Sequence, residues 1–165
     1  MKKLVEKAAV IHQTGKNNIT RAKATADAVL FDSPYKDRYK AFDYLNPLAL
    51  RMAAGSADII ISRAGSTIFE IAIWGIPSII IPIPEEISNG HQRKNAYTYA
   101  RSGAAVVIEE KNLTPHILAA EVHRLLGDKD RQEKMRKGAK QFAHPDAAKK
   151  IAEELIRIAL THESR

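Results

Sequence analysis

The segment Asp58-Ile-Ile-Ile-Ser62-Arg63-Ala-Gly65-Ser66-Thr67 decides the fold class of this chain. Its first half is a continuous β-branched run, which is typical of a strand covered on both faces of a parallel sheet. The run passes into a turn that contains one glycine and then into a segment of helical periodicity. The stretch therefore predicts a strand, a tight turn and a helix, the repeating unit of α/β proteins.

The same alternation continues on both sides of this segment. Apolar runs predict further strands at 8–12, 78–82 and 104–108 and a weaker one at 39–42. Helical spacing predicts helices at 20–29, 47–56, 67–74 and 90–102, and three more helices close the chain. Thr114-Pro115 and Gly127 mark the two ends of the first of these three. We therefore predict an α/β fold, a Rossmann-like parallel sheet flanked by helices.

Length and composition narrow the class of protein. With 165 residues, 45% apolar and 27% charged, the chain is typical of one globular domain. It contains no cysteine, which excludes disulfides, thiolate catalysis and cysteine-ligated metal sites. The longest apolar stretch, 71–84, is shorter than the roughly 20 residues that span a bilayer, and no signal peptide follows Met1. We expect a cytoplasmic protein.

The net charge of +7 predicts an anionic partner. Nucleic acid, an acidic lipid surface and a phosphorylated ligand all fit that charge. The basic residues are spread along the chain without the interleaved aromatic residues that stack on bases, so we do not expect a nucleic-acid partner.

The turn after the strand at 58–62 is a candidate phosphate site. Ligands of open α/β sheets bind at the carboxyl ends of strands, and a glycine there lets a phosphate approach the amides of a helix N-terminus. Gly65, Ser66 and Thr67 occupy this position. The turn has neither the G-x-G-x-x-G pattern nor a Walker lysine. The alternative to a phosphate site is that Gly65 only forms the turn.

Glu70 has two interpretations. Thr67-Ile-Phe-Glu70 fits a capping box, in which the two side chains satisfy backbone amides at the helix start. A carboxylate one turn into a helix at a sheet crevice can also accept hydrogen bonds from a ribose diol.

A second polar segment, Asn89-Gly-His-Gln-Arg-Lys-Asn95, follows the strand at 78–82. Gln92 and Asn95 are three residues apart and share a helical face, where their carboxamides suit sugar hydroxyls. An ordinary polar helix start, with Ser88 or Asn89 as its cap, is the alternative.

Asp128-Lys-Asp130 imitates a metal motif but follows Gly127 at a helix start, so it indicates a cap. We expect neither a metal nor a cofactor.

The order of these motifs is more specific than any one of them. Ile11-His-Gln-Thr-Gly-Lys16, Ser56 to Ala72 with Gly75-Ile-Pro77, His91-Gln-Arg-Lys-Asn-Ala96 and Ser102-Gly-Ala-Ala105 together resemble the C-terminal half of the MurG family. That family has the two-domain GT-B fold. Its members transfer GlcNAc from UDP-GlcNAc to the peptidoglycan precursor lipid I with inversion, giving lipid II, and they work as peripheral membrane proteins.

The resemblance implies a donor-binding role for 1–165 as a single domain like the C-terminal domain of glycosyltransferase family 28. The diphosphate and part of the sugar would meet the turn after the strand at 58–62, the ribose would meet Glu70, and the GlcNAc hydroxyls would meet Gln92 and Asn95. The uracil would lie near Tyr44 and Leu45. The implied substrate-binding residues are Gly65, Ser66, Thr67, Glu70, His91, Gln92, Asn95, Tyr44 and Leu45.

Two departures from the family pattern shape the expected function. The loop from Arg63 to Glu70 is one residue shorter than in familiar members. Residues 1–165 lack the N-terminal domain, which in the family holds the acceptor site, the general base and the membrane-docking surface. They also lack the first strand and the glycine-rich turn of the C-terminal domain. We expect a fragment, a split-gene product or a free subunit that is inactive without an N-terminal partner. We also expect it to lie at the inner face of the membrane and to reach lipid I through that partner. The alternatives are a noncatalytic nucleotide-sugar-binding or assembly subunit and a related enzyme such as a UDP-GlcNAc 2-epimerase.

Overall fold

The computed structural model describes residues 1–163, in which strands and helices alternate up to the last strand and helices alone follow it. The strands are β1 (Val10–Gln13), β2 (Tyr39–Phe42), β3 (Ile60–Ser62), β4 (Ser78–Ile80) and β5 (Ala105–Val107). The helices are α1 (Lys2–Val5), α2 (Ile19–Leu30), α3 (Pro47–Gly55), α4 (Thr67–Trp74), α5 (Glu85–Ser88), α6 (His91–Arg101), α7 (Pro115–Gly127), α8 (Lys129–Phe142) and α9 (Ala147–Glu163). The predicted α/β class is confirmed.

All strand pairs are parallel, and they form two sheets rather than one. β1 pairs with β2, and β3, β4 and β5 pair in that order. The register places Ile60 opposite Ser78, and Ser78 opposite Ala105. Each connection between paired strands carries a helix, as parallel pairing requires.

The core lies on both faces of the three-stranded sheet. Because side chains alternate along a strand, Ile80 points to one face while Ile79 and Ile81 point to the other. The first face packs against α4, α6 and the end of α8, around the fully buried Tyr99. The second packs against α7 and α8, around Leu125. These two layers fix the position of β3 and β4, which carry the candidate site.

Side-chain caps mark the starts of α3, α7 and α8. Asn46 caps α3 through a hydrogen bond from the Ala49 N–H, with a proline at the first helical position. Thr114 caps α7 in the same way, which confirms the predicted start of that helix. The Asp128 carboxylate accepts a hydrogen bond of 2.8 Å from the Arg131 N–H, so its predicted capping role is also confirmed.

The structure differs from the sequence predictions at the strand ends and at the shortest helices. The strands are one to two residues shorter than predicted, except for β2, which matches. The single-turn helices α1 and α5 were not predicted, because four residues are too few to show periodicity. Within residues 1–163, no helix is both long and apolar enough to cross a membrane.

Candidate functional site

The candidate site lies at the carboxyl ends of β3 and β4. β3 leads through a short loop into α4, and β4 leads through a proline-rich segment and α5 into α6. In a parallel sheet these two exits open on the same edge, where ligands of open α/β folds bind. The residues predicted from the β3–α4 junction and from the start of α6 therefore fall on one edge of one sheet.

The N-terminus of α4 leaves backbone donors without acceptors. The N–H groups of Ile68 and Phe69 donate to the carbonyls of Gly65 and Ser66 at 3.3 and 3.0 Å. The N–H groups of Gly65, Ser66 and Thr67 have no acceptor in the described part of the chain. Three free donors at the positive end of a helix dipole form an arrangement that suits an anion.

Gly65 leaves open space beside these donors. Its φ lies outside the left-handed region, and a Cβ built on it would meet no atom within 4 Å. The turn itself therefore does not require a glycine, and no neighbouring atom of the chain excludes a side chain. The absence of a side chain instead leaves room for a group that approaches the α4 amides from outside.

The capping-box interpretation of Glu70 is wrong. α4 has Ser66 at its N-cap position, so Thr67 is the first helical residue and cannot pair with Glu70 as a capping box. The Glu70 side chain is exposed, and its carboxylate makes no hydrogen bond or ion pair with any residue in 1–163. Glu70 thus presents an unused acceptor in the first turn of α4.

Two carboxamides connect α6 to the loops that follow β3 and β4. The Asn95 Nδ2 donates to the Ala64 carbonyl at 3.3 Å, and the Gln92 Oε1 accepts a hydrogen bond of 3.3 Å from the Ile83 N–H. Both side chains are half-buried. Each still has one polar atom without a partner in the described residues, Oδ1 of Asn95 and Nε2 of Gln92, so one can accept and the other can donate to a ligand.

The start of α6 differs from the prediction. The N-cap is Gly90 with a φ of 74°, whereas Asn89 ends α5 with a φ of 48°. The predicted cap by Ser88 or Asn89 is therefore wrong, since the chain reverses in two consecutive left-handed residues before α6 begins. His91 is the first residue of α6, and its side chain is exposed.

Tyr44 and Leu45 follow β2, on the two-stranded sheet. The Leu45 N–H donates to Gln13 Oε1 at 2.9 Å, which ties the segment after β2 to the end of β1. The Tyr44 side chain is 62% exposed. Among residues 1–163, no hydrogen bond joins these two residues to the β3–α4 loop or to α6.

The sequence analysis missed the role of Arg63. Its Nη1 donates to the carbonyls of Ile81 and Pro82 at 3.3 and 3.4 Å and forms an ion pair with Glu110. The Arg63 guanidinium holds the pKa of the Glu110 carboxyl below its ordinary value. One side chain thereby joins the exits of β3, β4 and β5. Its only signal in the sequence was an arginine immediately after a strand that was predicted to be buried.

A second ion pair holds α6 against the segment that follows β5. The Arg93 Nε donates to Glu109 Oε1 at 2.9 Å, and the Tyr97 hydroxyl donates to the same oxygen at 2.8 Å. These two hydrogen bonds hold the pKa of the Glu109 carboxyl below its ordinary value, and the one from Arg93 has the larger effect. The two ion pairs brace the loops around the candidate site on the side of β5.

The fold and the junction define an open parallel α/β domain with a helix N-terminus, bearing free N–H donors, at the edge of the sheet where ligands of such folds bind. Residues 1–151 match the C-terminal domain of glycosyltransferase family 28, and the chain belongs to that family.

Curated relatives support this assignment. The UDP-N-acetylglucosamine--N-acetylmuramyl-(pentapeptide) pyrophosphoryl-undecaprenol N-acetylglucosamine transferase of Mycobacterium avium (strain 104) is 39% identical over 124 residues, which are 74% of this chain and 29% of the relative. The protein of the same name from Mycobacterium ulcerans (strain Agy99) is 36% identical over 157 residues, 94% of this chain and 37% of the relative. The chain thus spans about a third of the length of these relatives.

Solved structures confirm the predicted fold. The crystal structure of Acinetobacter baumannii MurG superposes with a TM-score of 0.71 at 25% identity, covering 89% of this chain and 40% of that one. The glycosyltransferase VinC, solved in complex with DTDP, gives a TM-score of 0.61 at 22% identity, covering 97% of this chain and 37% of that one, and this likeness shows the fold alone. The resemblance to the MurG family that the motifs predicted is confirmed.

Proposed function

We propose that this chain is the donor-binding part of an inverting N-acetylglucosaminyltransferase that moves GlcNAc from UDP-GlcNAc to lipid I in peptidoglycan synthesis. The observation that carries the proposal is the set of three free N–H groups at the start of α4 beside the unpaired carboxylate of Glu70. The family assignment and the names of the relatives support the choice of donor and acceptor.

Each candidate residue has a chemical role in this proposal. The N–H groups of Gly65, Ser66 and Thr67 bind the diphosphate, and Glu70 accepts hydrogen bonds from the ribose diol. The free carboxamide atoms of Gln92 and Asn95 bind GlcNAc hydroxyls. His91, exposed at the start of α6, lies at the outer rim of that sugar subsite. Tyr44 and Leu45 contact the uracil.

The contribution of this chain to the reaction is to stabilise the leaving group. Inverting transfer needs a base that deprotonates the acceptor hydroxyl and a group that stabilises the departing UDP. Backbone donors at a helix N-terminus meet the second need, because their dipoles point toward the negative charge that develops on the diphosphate. In this proposal the base and the acceptor site belong to an N-terminal partner, so the chain alone forms no measurable lipid II.

We also infer the location of the assembled enzyme from its acceptor. Lipid I is membrane-bound, and the proposal therefore places the complex at the inner face of the cell membrane through the partner. The net charge of +7 supports proximity to anionic phosphates and lipids, without choosing between them.

Calorimetric titration of the chain with UDP-GlcNAc, UDP-glucose and UDP tests the proposed site. We expect Glu70→Ala to weaken all three ligands about tenfold and Gln92→Ala to weaken only UDP-GlcNAc and UDP-glucose, since UDP has no donor sugar. Glu86→Ala, which removes another exposed carboxylate, is the matched control. Equal binding by all four proteins would exclude the proposed roles of Glu70 and Gln92.

A further inference from the structure

Helix α8 carries most of the net positive charge of the chain. Residues 129–142 include six basic and two acidic side chains, which gives this helix a net charge of +4. The whole chain has a net charge of +7, so all the other residues together contribute only +3. More than half of the net charge thus comes from one helix, and it concentrates a positive potential on one part of the surface.

The basic residues of α8 that point away from the core form one line. Met135 and Ala139 are buried and fix the face of α8 that packs on the domain. The opposite face follows the spacing i, i+4, i+7, i+8 and i+11, which places side chains in one row along a helix. At about 1.5 Å per residue this row extends over about 16 Å. We call it the basic stripe, and its residues are Lys129, Glu133, Arg136, Lys137 and Lys140.

The cations of the basic stripe are available to an external partner. Its other two lysines have acidic neighbours, with N–O distances of 3.7 and 3.9 Å, and every side chain in these two pairs is more than half exposed. Exposed ion pairs of this kind contribute little and are easily exchanged for another charge. Arg136 and Lys140 form no ion pair with any residue in 1–163. The stripe therefore offers four cations against one carboxylate.

An exposed apolar pair on α4 adjoins the C-terminal end of the basic stripe. Phe69 is 48% exposed and Ile73 is 50% exposed, and they lie one helical turn apart. The Phe69 ring stacks on Phe142, the last residue of α8, with 5.9 Å between the ring centroids. The Lys140 side chain lies against the end of α4, since a Cβ on Gly75 would be 3.0 Å from its Cε. Cations and apolar side chains therefore meet where α4 and α8 are in contact.

We propose that the basic stripe and the apolar pair Phe69 and Ile73 dock on an anionic phospholipid surface. The cations of α8 contact lipid phosphates, and the two apolar side chains enter the boundary between the headgroups and the acyl chains. A straight row of cations on the convex face of one helix suits a partner that is flat and continuous.

The composition of this surface favours lipid over nucleic acid. Proteins that bind single-stranded nucleic acid combine cations with aromatic rings on which the bases stack. The basic stripe contains no aromatic residue, and the Phe69 ring already stacks on Phe142. Ile73 has no ring on which a base could stack, but an exposed aliphatic side chain gains free energy when it enters the apolar part of a bilayer.

This contact differs from the membrane location in the proposed function. There the membrane is reached through an N-terminal partner and its lipid substrate, whereas here the chain itself binds lipid phosphates. The contact does not depend on which sugar nucleotide the chain binds, because the basic stripe contains none of the candidate donor-binding residues.

Cosedimentation of the full chain with vesicles tests the proposal. We expect binding to vesicles of equal parts phosphatidylglycerol and phosphatidylcholine, little binding to phosphatidylcholine alone, and weaker binding as the salt concentration rises. The Arg136→Glu, Lys140→Glu double variant should bind about tenfold more weakly or worse. Lys7→Glu, Lys23→Glu is the matched control, because it changes the net charge equally at two exposed lysines outside α8.

The apolar pair is tested at constant charge. We expect Ile73→Ser to weaken binding to the anionic vesicles about threefold. Leu155→Ser, which removes a 62% exposed apolar side chain from α9, should leave binding unchanged. The substituted side chains all lie outside the core, so the melting temperatures should not change. Lys129→Glu, Lys137→Glu, in the same stripe, takes the place of the first double variant if that one fails to fold.

Several outcomes would overturn the proposal. They are no binding of the unchanged chain to the anionic vesicles, equal binding by the stripe variant, and equal weakening by the control at Lys7 and Lys23. A loss of binding in Leu155→Ser would assign the contact to α9 instead. Equally tight binding to a short DNA duplex, weakened to the same extent by the stripe variant, would identify a general site for polyanions.

Calorimetry with UDP-GlcNAc separates this proposal from the proposed function. We expect the Arg136→Glu, Lys140→Glu variant to bind UDP-GlcNAc as the unchanged chain does. Vesicle binding without UDP-GlcNAc binding would contradict the proposed function and leave the docking surface standing. UDP-GlcNAc binding without vesicle binding would overturn the docking surface alone.

Discussion

At Gly65 the chain carries a glycine that its own conformation does not require. The residue has an ordinary φ, and a Cβ there would meet no atom within 4 Å. We therefore expect Gly65→Ala to leave the melting temperature unchanged and to weaken UDP binding about tenfold, because the methyl group would occupy the space beside the α4 amides. Gly55→Ala, at an equally open position at the end of α3, is the control. Undiminished UDP binding by Gly65→Ala would place the diphosphate elsewhere.

The sequence predicted the junction that carries the candidate residues, but it predicted a local role for Glu70 that the structure does not show. The β3–α4 junction followed from a β-branched run and a glycine, and the structure forms it as predicted. The pattern Thr67 to Glu70 fits a capping box only if Thr67 is the N-cap. In the structure the N-cap is Ser66 and the helix begins at Thr67, so Thr67 and Glu70 cannot pair in that way. Arg63 could not be assigned, because its partners, the carbonyl of Ile81 and the carboxylate of Glu110, are distant in sequence.

At the scale of elements, ion pairs join α6 and the exits of β3 and β4 to the segment after β5. These ion pairs predict that the stability of the chain depends on pH. The pKa of the Glu109 and Glu110 carboxyls lies below the ordinary value because of Arg93 and Arg63. The stability they contribute is therefore present above an ordinary glutamate pKa of about 4.3 and is lost as the pH falls through the lower folded values.

Replacing both carboxyls tests this dependence. We expect the Glu109→Gln, Glu110→Gln double variant to lose less stability than the unchanged chain between about pH 6 and pH 3, because it has no such protons to take up. Urea unfolding across this range measures the effect. Glu86→Gln, whose carboxylate forms no ion pair among the described residues, should retain the pH dependence of the unchanged chain. Parallel curves for the double variant and the unchanged chain would contradict the prediction.

The contact of α8 with the segment after α6 depends on Gly138. A Cβ at this position would lie 2.2 Å from the Ser102 carbonyl oxygen and 3.0 Å from the Ala104 nitrogen. We expect Gly138→Ala to destabilise the chain by about 1–3 kcal/mol in spite of the better helix propensity of alanine. Gly127→Ala, with no atom within 4 Å of the added Cβ, should not destabilise it. Chemical denaturation compares the two, and an equal or higher stability of Gly138→Ala would refute the close approach.

Helix and strand types were largely predictable, and their ends less so. α4 coincides with its predicted range because Gly75, with a φ of 66°, ends it in the left-handed conformation that glycine favours. α7 follows Thr114 and Pro115 as its cap signals require. The start of α6 was not predictable from cap preferences, since Asn89 ends the preceding helix instead of capping the next one.

At the scale of the whole molecule, α9 does not pack as its sequence predicts. The stripe of Ile151, Leu155 and Ile158 indicates a buried face, yet every side chain of residues 147–161 is exposed. We expect a chain shortened to residues 1–146 to melt within about 2 °C of the full chain, because removing α9 uncovers no core. Differential scanning calorimetry of both chains measures this, and a fall of more than about 5 °C would show that α9 stabilises the domain.

The arrangement of the sheets was the least predictable feature. Local patterns indicate that β1 and β3 are interior strands, but which strand lies beside each of them depends on contacts between distant segments. The described residues form two parallel sheets, and exposed Ile11 and Ile61 mark the edges at which they end. The sequence therefore predicted the α/β class and the β3–α4 junction, whereas the division of the strands required the structure.

The central claim is that the free amides at the start of α4 bind the diphosphate of UDP-GlcNAc. An NMR titration of the ¹⁵N-labelled chain with UDP-GlcNAc tests it most directly, because it reports on each backbone N–H separately. We predict that the largest shift changes fall on Gly65, Ser66 and Thr67 and that UDP reproduces them. Saturable shift changes confined to other parts of the chain, with these three amides unmoved, would contradict the claim.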